Sequence, residues 1–163
     1  MSAIIQEPDQ GEALWYDGGL VTFKATGAQT GGDLLLFEAR MPAGKATPLH
    51  THPEGVETLA VLEGELLLNV DGEESRAGAG SVVVVPRDVP HAFAVASEAG
   101  ARLLVSLTPA GSIQERFFRS AGEPAPQRTL PPAGDEQERI ERNMRAAQET
   151  GMTILGPPPF APA

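Results

Sequence analysis

From about Leu14 to Thr108 the chain is punctuated so often that only short strands fit between the breaks. Turn-forming residues fall at Gly44, Pro53-Glu54-Gly55, Glu63-Gly64, Gly78-Ala79-Gly80, Pro86-Arg87-Asp88 and Ala99-Gly100. The intervening runs are about 5 to 8 residues long, the usual length of a strand. Within them, apolar residues recur at every second position: Val21, Phe23 and Ala25 alternate with Thr22 and Lys24, and Leu66, Leu68 and Val70 alternate with Leu67 and Asn69. A period of two sends successive side chains to opposite faces, so one face is buried and the other is not. Asp71-Gly72 directly follows the second run and tolerates the positive φ angles of a tight hairpin turn. Val82 to Val85 is an unbroken β-branched run, which reads as a core strand covered on both sides or lining a sandwich interior. The pattern predicts an all-β sandwich or barrel of roughly eight strands.

The composition changes after Pro109. Ser112-Ile113-Gln114-Glu115 has the pattern of a capping box opening a short helix, on which Ile113 and Phe117 share a face. Residues 121 to 134 are rich in Pro, Ala and Gly and read as an extended strap over the surface. Asp135 and Glu138 form a second helix start, Glu138/Arg142 and Glu141/Arg145 are spaced for ion pairs one turn apart, and Gly151 is placed to end that helix. Its apolar stripe, Ile140, Met144 and Ala147, is narrow, which suits docking on the outside of the sandwich or on a second subunit. The final GPPPFAPA, residues 156 to 163, reads as an irregular tail. The expected organisation is one domain, with residues 1–110 forming the β-barrel and 111–163 a C-terminal helical extension packed on it or on a partner subunit.

Charge narrows the partners. With 22 acidic against 12 basic side chains, the formal net charge of −10 repels phosphate backbones and anionic lipid surfaces, so neither nucleic acid nor a membrane is an expected partner. The 163 residues include no cysteine. Disulfides and thiolate metal sites are thereby excluded, and any metal must be held by nitrogen and oxygen. No apolar stretch approaches the roughly 18 residues of a membrane span, and the opening MSAIIQEPDQ lacks the basic start and apolar run of a secretory leader. The expectation is a soluble, cytoplasmic protein.

Two of the three histidines stand one residue apart in His50-Thr51-His52-Pro53-Glu54-Gly55-Val56-Glu57. On a strand, positions i and i+2 share a face, so both imidazoles project to the same side. The turn at Pro53-Glu54-Gly55 reverses the chain and can bring the Glu57 carboxylate back beside them. Glu54, at the turn tip, is expected to face solvent and ranks below Glu57 as a ligand. The third histidine, His91, follows a strand and a turn, and joins the others if its hairpin lies opposite. Three imidazoles and a carboxylate suit one divalent transition metal, Fe, Mn, Co, Ni, Cu or Zn, with positions left open if the ion is six-coordinate. A lone histidine in a β-protein is more often a satisfied core or surface residue, and Glu57 alone could be a solvated charge at a strand start. The coincidence of all four favours ligation. Phe93 and Val95 share His91's face, where they either line a pocket or fill the barrel, and Arg40 reads as exposed beside the buried Phe37, Ala39 and Met41.

The spacing Gly44, five residues, His50-Thr51-His52, four residues, Glu57, six residues, Gly64 resembles the first motif of the cupin superfamily at every defined position. Gly80, five residues, Pro86, then Asp88 and His91 is similar to the second motif, with Asp88 where the family usually has glycine and Val95 where it often has asparagine. The resemblance implies a jelly-roll (double-stranded β-helix) barrel with His50, His52, Glu57 and His91 as metal ligands. Gly111 to Phe118 and Gly122 to Ala125 also look like the segment after the barrel in quercetin-dioxygenase-like single-domain cupins. That likeness implies a metal-dependent dioxygenase acting on a small enol or phenol, with Glu57 also serving as catalytic base, dioxygen as co-substrate and a homodimer as the assembly. A metal-dependent isomerase or lyase, and a non-enzymatic small-molecule-binding cupin, are the alternatives, because a fold does not fix a function.

Overall fold

The alternation between Leu14 and Thr108 corresponds to ten strands rather than eight in the computed structural model, which describes residues 2–160. In chain order these are β1 (Ala13–Tyr16) and β2 (Gly19–Ala25), then a single-turn helix α1 (Gly27–Thr30), β3 (Leu35–Met41), β4 (Leu49–Thr51), β5 (Val56–Glu63) and β6 (Glu65–Val70). They continue with β7 (Glu73–Gly78), β8 (Val82–Val85), β9 (His91–Val95) and β10 (Ala101–Thr108). Beyond them lie α2 (Ile113–Ala121), a two-residue β11 (Glu123–Pro124), α3 (Glu136–Thr150) and a last strand, β12 (Thr153–Gly156). Among the described residues, no helix is long and apolar enough to cross a membrane.

The strands form two antiparallel sheets, ordered β11-β1-β2-β3-β10-β5-β8 and β12-β4-β9-β6-β7. The chain passes back and forth between them, the winding of a jelly roll, and both sheets remain open at their edges. Inward-facing positions at period two supply the core: Leu59 and Val61 from β5, Leu103, Val105 and Leu107 from β10, Phe37 from β3 and Leu66 from β6 are all buried. Fully burying each such side chain stabilises the fold by roughly 1.5–3 kcal/mol. Asp71 and Gly72 both have positive φ, as the β6–β7 hairpin requires.

Several expectations need correction. The valine run is β8, an edge strand paired only with β5, and Val82 and Val84 are 62% and 59% exposed while Val85 is buried. Its outward valines therefore lie uncovered on the sheet rather than between two layers. Ser112 is the N-cap of α2 but makes no side-chain cap bond. Glu54 supplies the cap instead: its Oε2 accepts from the backbone N–H of Ser112 at 2.7 Å and of Ile113 at 2.8 Å. The turn-tip carboxylate thus faces a helix N-terminus, where its charge is favoured, and not open solvent.

The second helix starts as expected, with Asp135 accepting from the Glu138 N–H at 3.0 Å, and ends at Gly151 in the left-handed region. Glu138 pairs with Arg142 at 3.7 Å. Glu141, expected to pair with Arg145, accepts from Gln137 at 3.0 Å. The buried face of α3 is Ala146, Ala147 and Thr150, and the expected stripe residues Ile140 and Met144 are about half exposed. The segment read as an irregular tail begins within β12, which pairs with β4; its residues 161–163 lie outside the described residues.

Candidate metal centre and its cavity

Both sheets contribute to one cluster. β4 and β9 lie side by side with His50 directly opposite His91, and His52 follows β4 by one residue. Glu57 comes from β5 in the other sheet, returned by the turn at Pro53-Glu54-Gly55. The turn is packed tightly: a Cβ at Gly55 would stand 2.6 Å from the Pro109 carbonyl oxygen. A hydrogen bond from the Asp88 N–H to the His52 carbonyl, 3.2 Å, ties this turn to the one that precedes His91. Asp88 has φ 61°, a conformation that aspartate tolerates better than most side chains, so it fills a left-handed turn position without glycine.

The four residues expected to converge do so. His50, His52, Glu57 and His91 each offer one donor atom within 4.8 Å of the others, a set that could hold a metal ion. His52, Glu57 and His91 are buried, and His50 is half-buried. The His50 Nδ1–H donates to the Pro48 carbonyl at 2.8 Å and the His91 Nδ1–H to the Val89 carbonyl at 2.9 Å. Those bonds fix each ring's orientation and engage Nδ1, leaving Nε2 turned to the centre, where it can bind a metal or, at His91, carry a proton donated to Glu57. His91 Nε2 is 3.0 Å from Glu57 Oε2, and His52 Nε2 is 3.4 Å from Glu57 Oε1. Two lone pairs at such distances repel unless a cation lies between them, either a proton or a metal. The buried His52 Nε2 has no hydrogen-bond partner at all, the condition of a donor atom left for an ion.

The electrostatics fit the same reading. Burial first, then the neighbouring His91 and His52, lower the His50 pKa from 6.5 to about 4, so its ring is neutral at pH 7. Burial alone would raise the Glu57 pKa, but His52 and His91 outweigh it and hold the carboxyl well below the usual range. At His91 burial again opposes, and the Glu57 hydrogen bond and charge prevail and raise its pKa.

His50 and Glu57 line one part of a cavity of about 90 Å³ between the sheets. Its walls are mainly apolar: Phe37, Leu103, Phe93, Phe117, Met152 and Ile154. Phe93 therefore lines the pocket, whereas Val95 is packed in the core. Arg40 is exposed and pairs with Glu38 at 3.1 Å, in keeping with its expected surface role. Lys45 and Asp17, joined at 2.8 Å, line the same cavity.

Two contributions were not anticipated. Met152 and Ile154 reach the cavity because β12 pairs with the strand carrying His50, and a short run after a glycine gives no sign of such a distant partner. Gln114 on α2 is also buried against the cavity. For Gln114 there was a signal: Gln114, Phe117, Phe118 and Ala121 are the buried residues of α2 and recur at i, i+3, i+4 and i+7, one polar group on an apolar face.

Three imidazoles and a carboxylate gathered at a cavity between the two sheets of a jelly roll define a candidate metal centre. The description "Cupin domain" matches residues 37–107, and the chain belongs to the cupin superfamily. It is 30% identical over 146 residues to quercetin 2,3-dioxygenase of Bacillus subtilis, an alignment that covers 90% of this chain and 42% of that protein. The chain spans less than half the length of the curated relatives it matches. Among solved structures, an RmlC-like cupin from Shewanella frigidimarina superimposes with a TM-score of 0.58 at 24% identity, covering 67% of this chain and 93% of that one. A predicted oxalate decarboxylase from Thermotoga maritima gives 0.59 at 16% identity, covering 66% and 99%. At such identities these two structures speak for the fold alone.

Proposed function

We propose that this chain is a metal-dependent dioxygenase acting on a small enol- or phenol-type substrate, with His50, His52, Glu57 and His91 as the metal ligands. The observation that carries the reading is the pairing around Glu57. Its two oxygens face two imidazole nitrogens at 3.0 and 3.4 Å, one of them without any hydrogen-bond partner, where a bound cation resolves the repulsion. The 30% identity with a quercetin 2,3-dioxygenase supports the reaction class.

One divalent transition metal in this set would supply Lewis acidity toward an enol oxygen and a binding position for dioxygen. The chain's own residues do the rest. The carbonyls of Pro48 and Val89 hold the His50 and His91 rings in their working tautomer. Phe37, Phe93, Phe117 and Leu103 exclude water from the cavity, which strengthens every charge interaction within it. Glu57 stays ionised at neutral pH and lines the cavity, so it can accept the proton of a bound hydroxyl and return it to the product. Dioxygen is the oxidant, and both of its atoms end in the organic product. The uncovered Val82 and Val84 on edge strand β8 support the homodimer as part of this proposal, since an open apolar edge favours pairing with a second copy.

The same residues with no oxidant support an isomerase or lyase, in which Glu57 moves a proton beside a polarised carbonyl. The test is metal analysis of the purified protein, followed by oxygen-electrode assays with a diketone and a flavonol. Metal-dependent oxygen uptake is the expected result. Turnover that persists under argon replaces the dioxygenase with the isomerase or lyase, and tight binding without turnover leaves a binding protein.

A further inference from the structure

The cavity has a polar wall as well as a candidate metal centre. Gln114 is 8% exposed, lines the same cavity as His50 and Glu57, and its Oε1 accepts no hydrogen bond from any protein group. Several of the other polar side chains around it are committed. Lys45 pairs with Asp17 at 2.8 Å, Arg40 pairs with Glu38 at 3.1 Å, and Thr47 Oγ1 receives the Phe93 N–H at 3.0 Å. A buried amide left unpaired on an apolar wall is costly, which gives a ligand that meets it an advantage.

Gln114 is also held in place relative to the cluster. Glu54 belongs to the turn that delivers Glu57, and its carboxylate caps α2 at Ser112 and Ile113, immediately before Gln114. Phe117 and Phe118 anchor the same helix, packing edge-on against Tyr16 with ring centroids 5.7 and 4.9 Å apart. The amide therefore faces the cavity from a helix registered to the candidate ligands, and it carries both an acceptor and two donors.

Size narrows what can occupy the space between. At about 90 Å³ the cavity suits a compact ligand of few heavy atoms rather than a multi-ring one. We propose that Gln114 is a positioning residue whose amide binds the second oxygen of a small two-oxygen substrate, an enolised dicarbonyl being the fitting class, while the first oxygen lies at the His50 and Glu57 end. This rests on the metal-centred reading above and adds to it a determinant of which enols are accepted.

The probe is 2,4-pentanedione, with 2-pentanone as its one-oxygen counterpart, and the protein is loaded with redox-inert zinc. In nitrogen-15 spectra, the Gln114 side-chain amide, assigned by its absence from Gln114→Met, should shift as pentanedione is added and saturate with the affinity measured by calorimetry. Gln114→Met keeps the side-chain volume and should bind pentanedione about fivefold to tenfold more weakly, with 2-pentanone binding and zinc content unchanged and the melting temperature of ligand-free protein equal to or above that of wild type. If wild type takes up zinc and pentanedione while the amide signal stays still and Gln114→Met binds equally well, the inference is overturned and the metal-centred reading stands. Failure of zinc-loaded wild type to bind pentanedione also overturns it. If wild type takes up no zinc, the metal-centred reading falls and this inference falls with it.

Discussion

Glu54→Ala tests whether one carboxylate holds the C-terminal extension to the candidate centre. The side chain accepts two backbone N–H groups, at 2.7 and 2.8 Å, from the first turn of α2. A hydrogen bond to a charged group contributes about 1.5–3 kcal/mol and loss of a helix cap costs about 0.5–2 kcal/mol. Glu54 is half-buried and Ser112 exposed, so water replaces part of what is lost. The net cost should be about 2 kcal/mol, which for a chain of this length lowers the melting temperature by roughly 4–8 °C. Glu54→Gln keeps an acceptor but not the charge, and should lose about half as much. Gly111→Ala should act in the same direction. Gly111 has φ 59°, and a Cβ there would stand 2.4 Å from the Glu54 carboxylate. The assay is thermal unfolding by circular dichroism on metal-free protein, with amide exchange at Ser112 and Ile113 read alongside. Melting of Glu54→Ala within about 1 °C of wild type, with both amides still protected, would refute the capping argument.

Replacing His50, His52 or His91 by Ala should abolish metal uptake, measured by atomic emission, while the circular dichroism spectrum is kept, because the apolar core is separate from the cluster. Glu57→Gln should lose more oxygen uptake than metal, since three imidazoles remain to grip the ion. In metal-free protein His50 binds a proton less readily when folded, so stability should fall as pH drops from 6.5 toward about 4. At about 1.4 kcal/mol per unit the loss has a ceiling of about 3 kcal/mol, reduced in practice by the ring's partial exposure. His91, with a raised pKa, acts oppositely: its stabilisation is present below 6.5 and lost as pH rises past its folded value. Urea titrations of His50→Phe should therefore lack the part of the decline between pH 6.5 and about 4, while the loss at lower pH that follows from the lowered Glu57 pKa remains. Ile154→Ala widens the cavity from β12, and should improve flavonol binding relative to pentanedione for a folding cost below about 2 kcal/mol, as Ile154 is only partly buried.

The parts of the fold that were legible in the residues are those governed by near neighbours. Asp71-Gly72, the Asp135 cap and the Gly151 stop each depend on a few adjacent positions, and each forms as expected. The convergence of His50 and His52 follows from strand period, and that of Glu57 from a tight turn. Sheet order is different. Val82 to Val85 would read the same in a central or an edge strand, and only the pairing of β8 with β5 alone decides that two valines stay uncovered. Glu54 is capped to a helix 58 residues away, a partner no local pattern reveals. The pairing of β12 with β4 is equally non-local, and it determines part of the cavity wall.

The four donor side chains do not sit on one layer: Glu57 comes from the larger sheet, His50 and His91 from the smaller. An ion gripped by all of them would rivet the two layers face to face at one end, leaving the opposite end free to breathe. Occupancy would then be legible as resistance to heat and to proteolysis before any reaction was run, and chelation would loosen the molecule from the cavity outward.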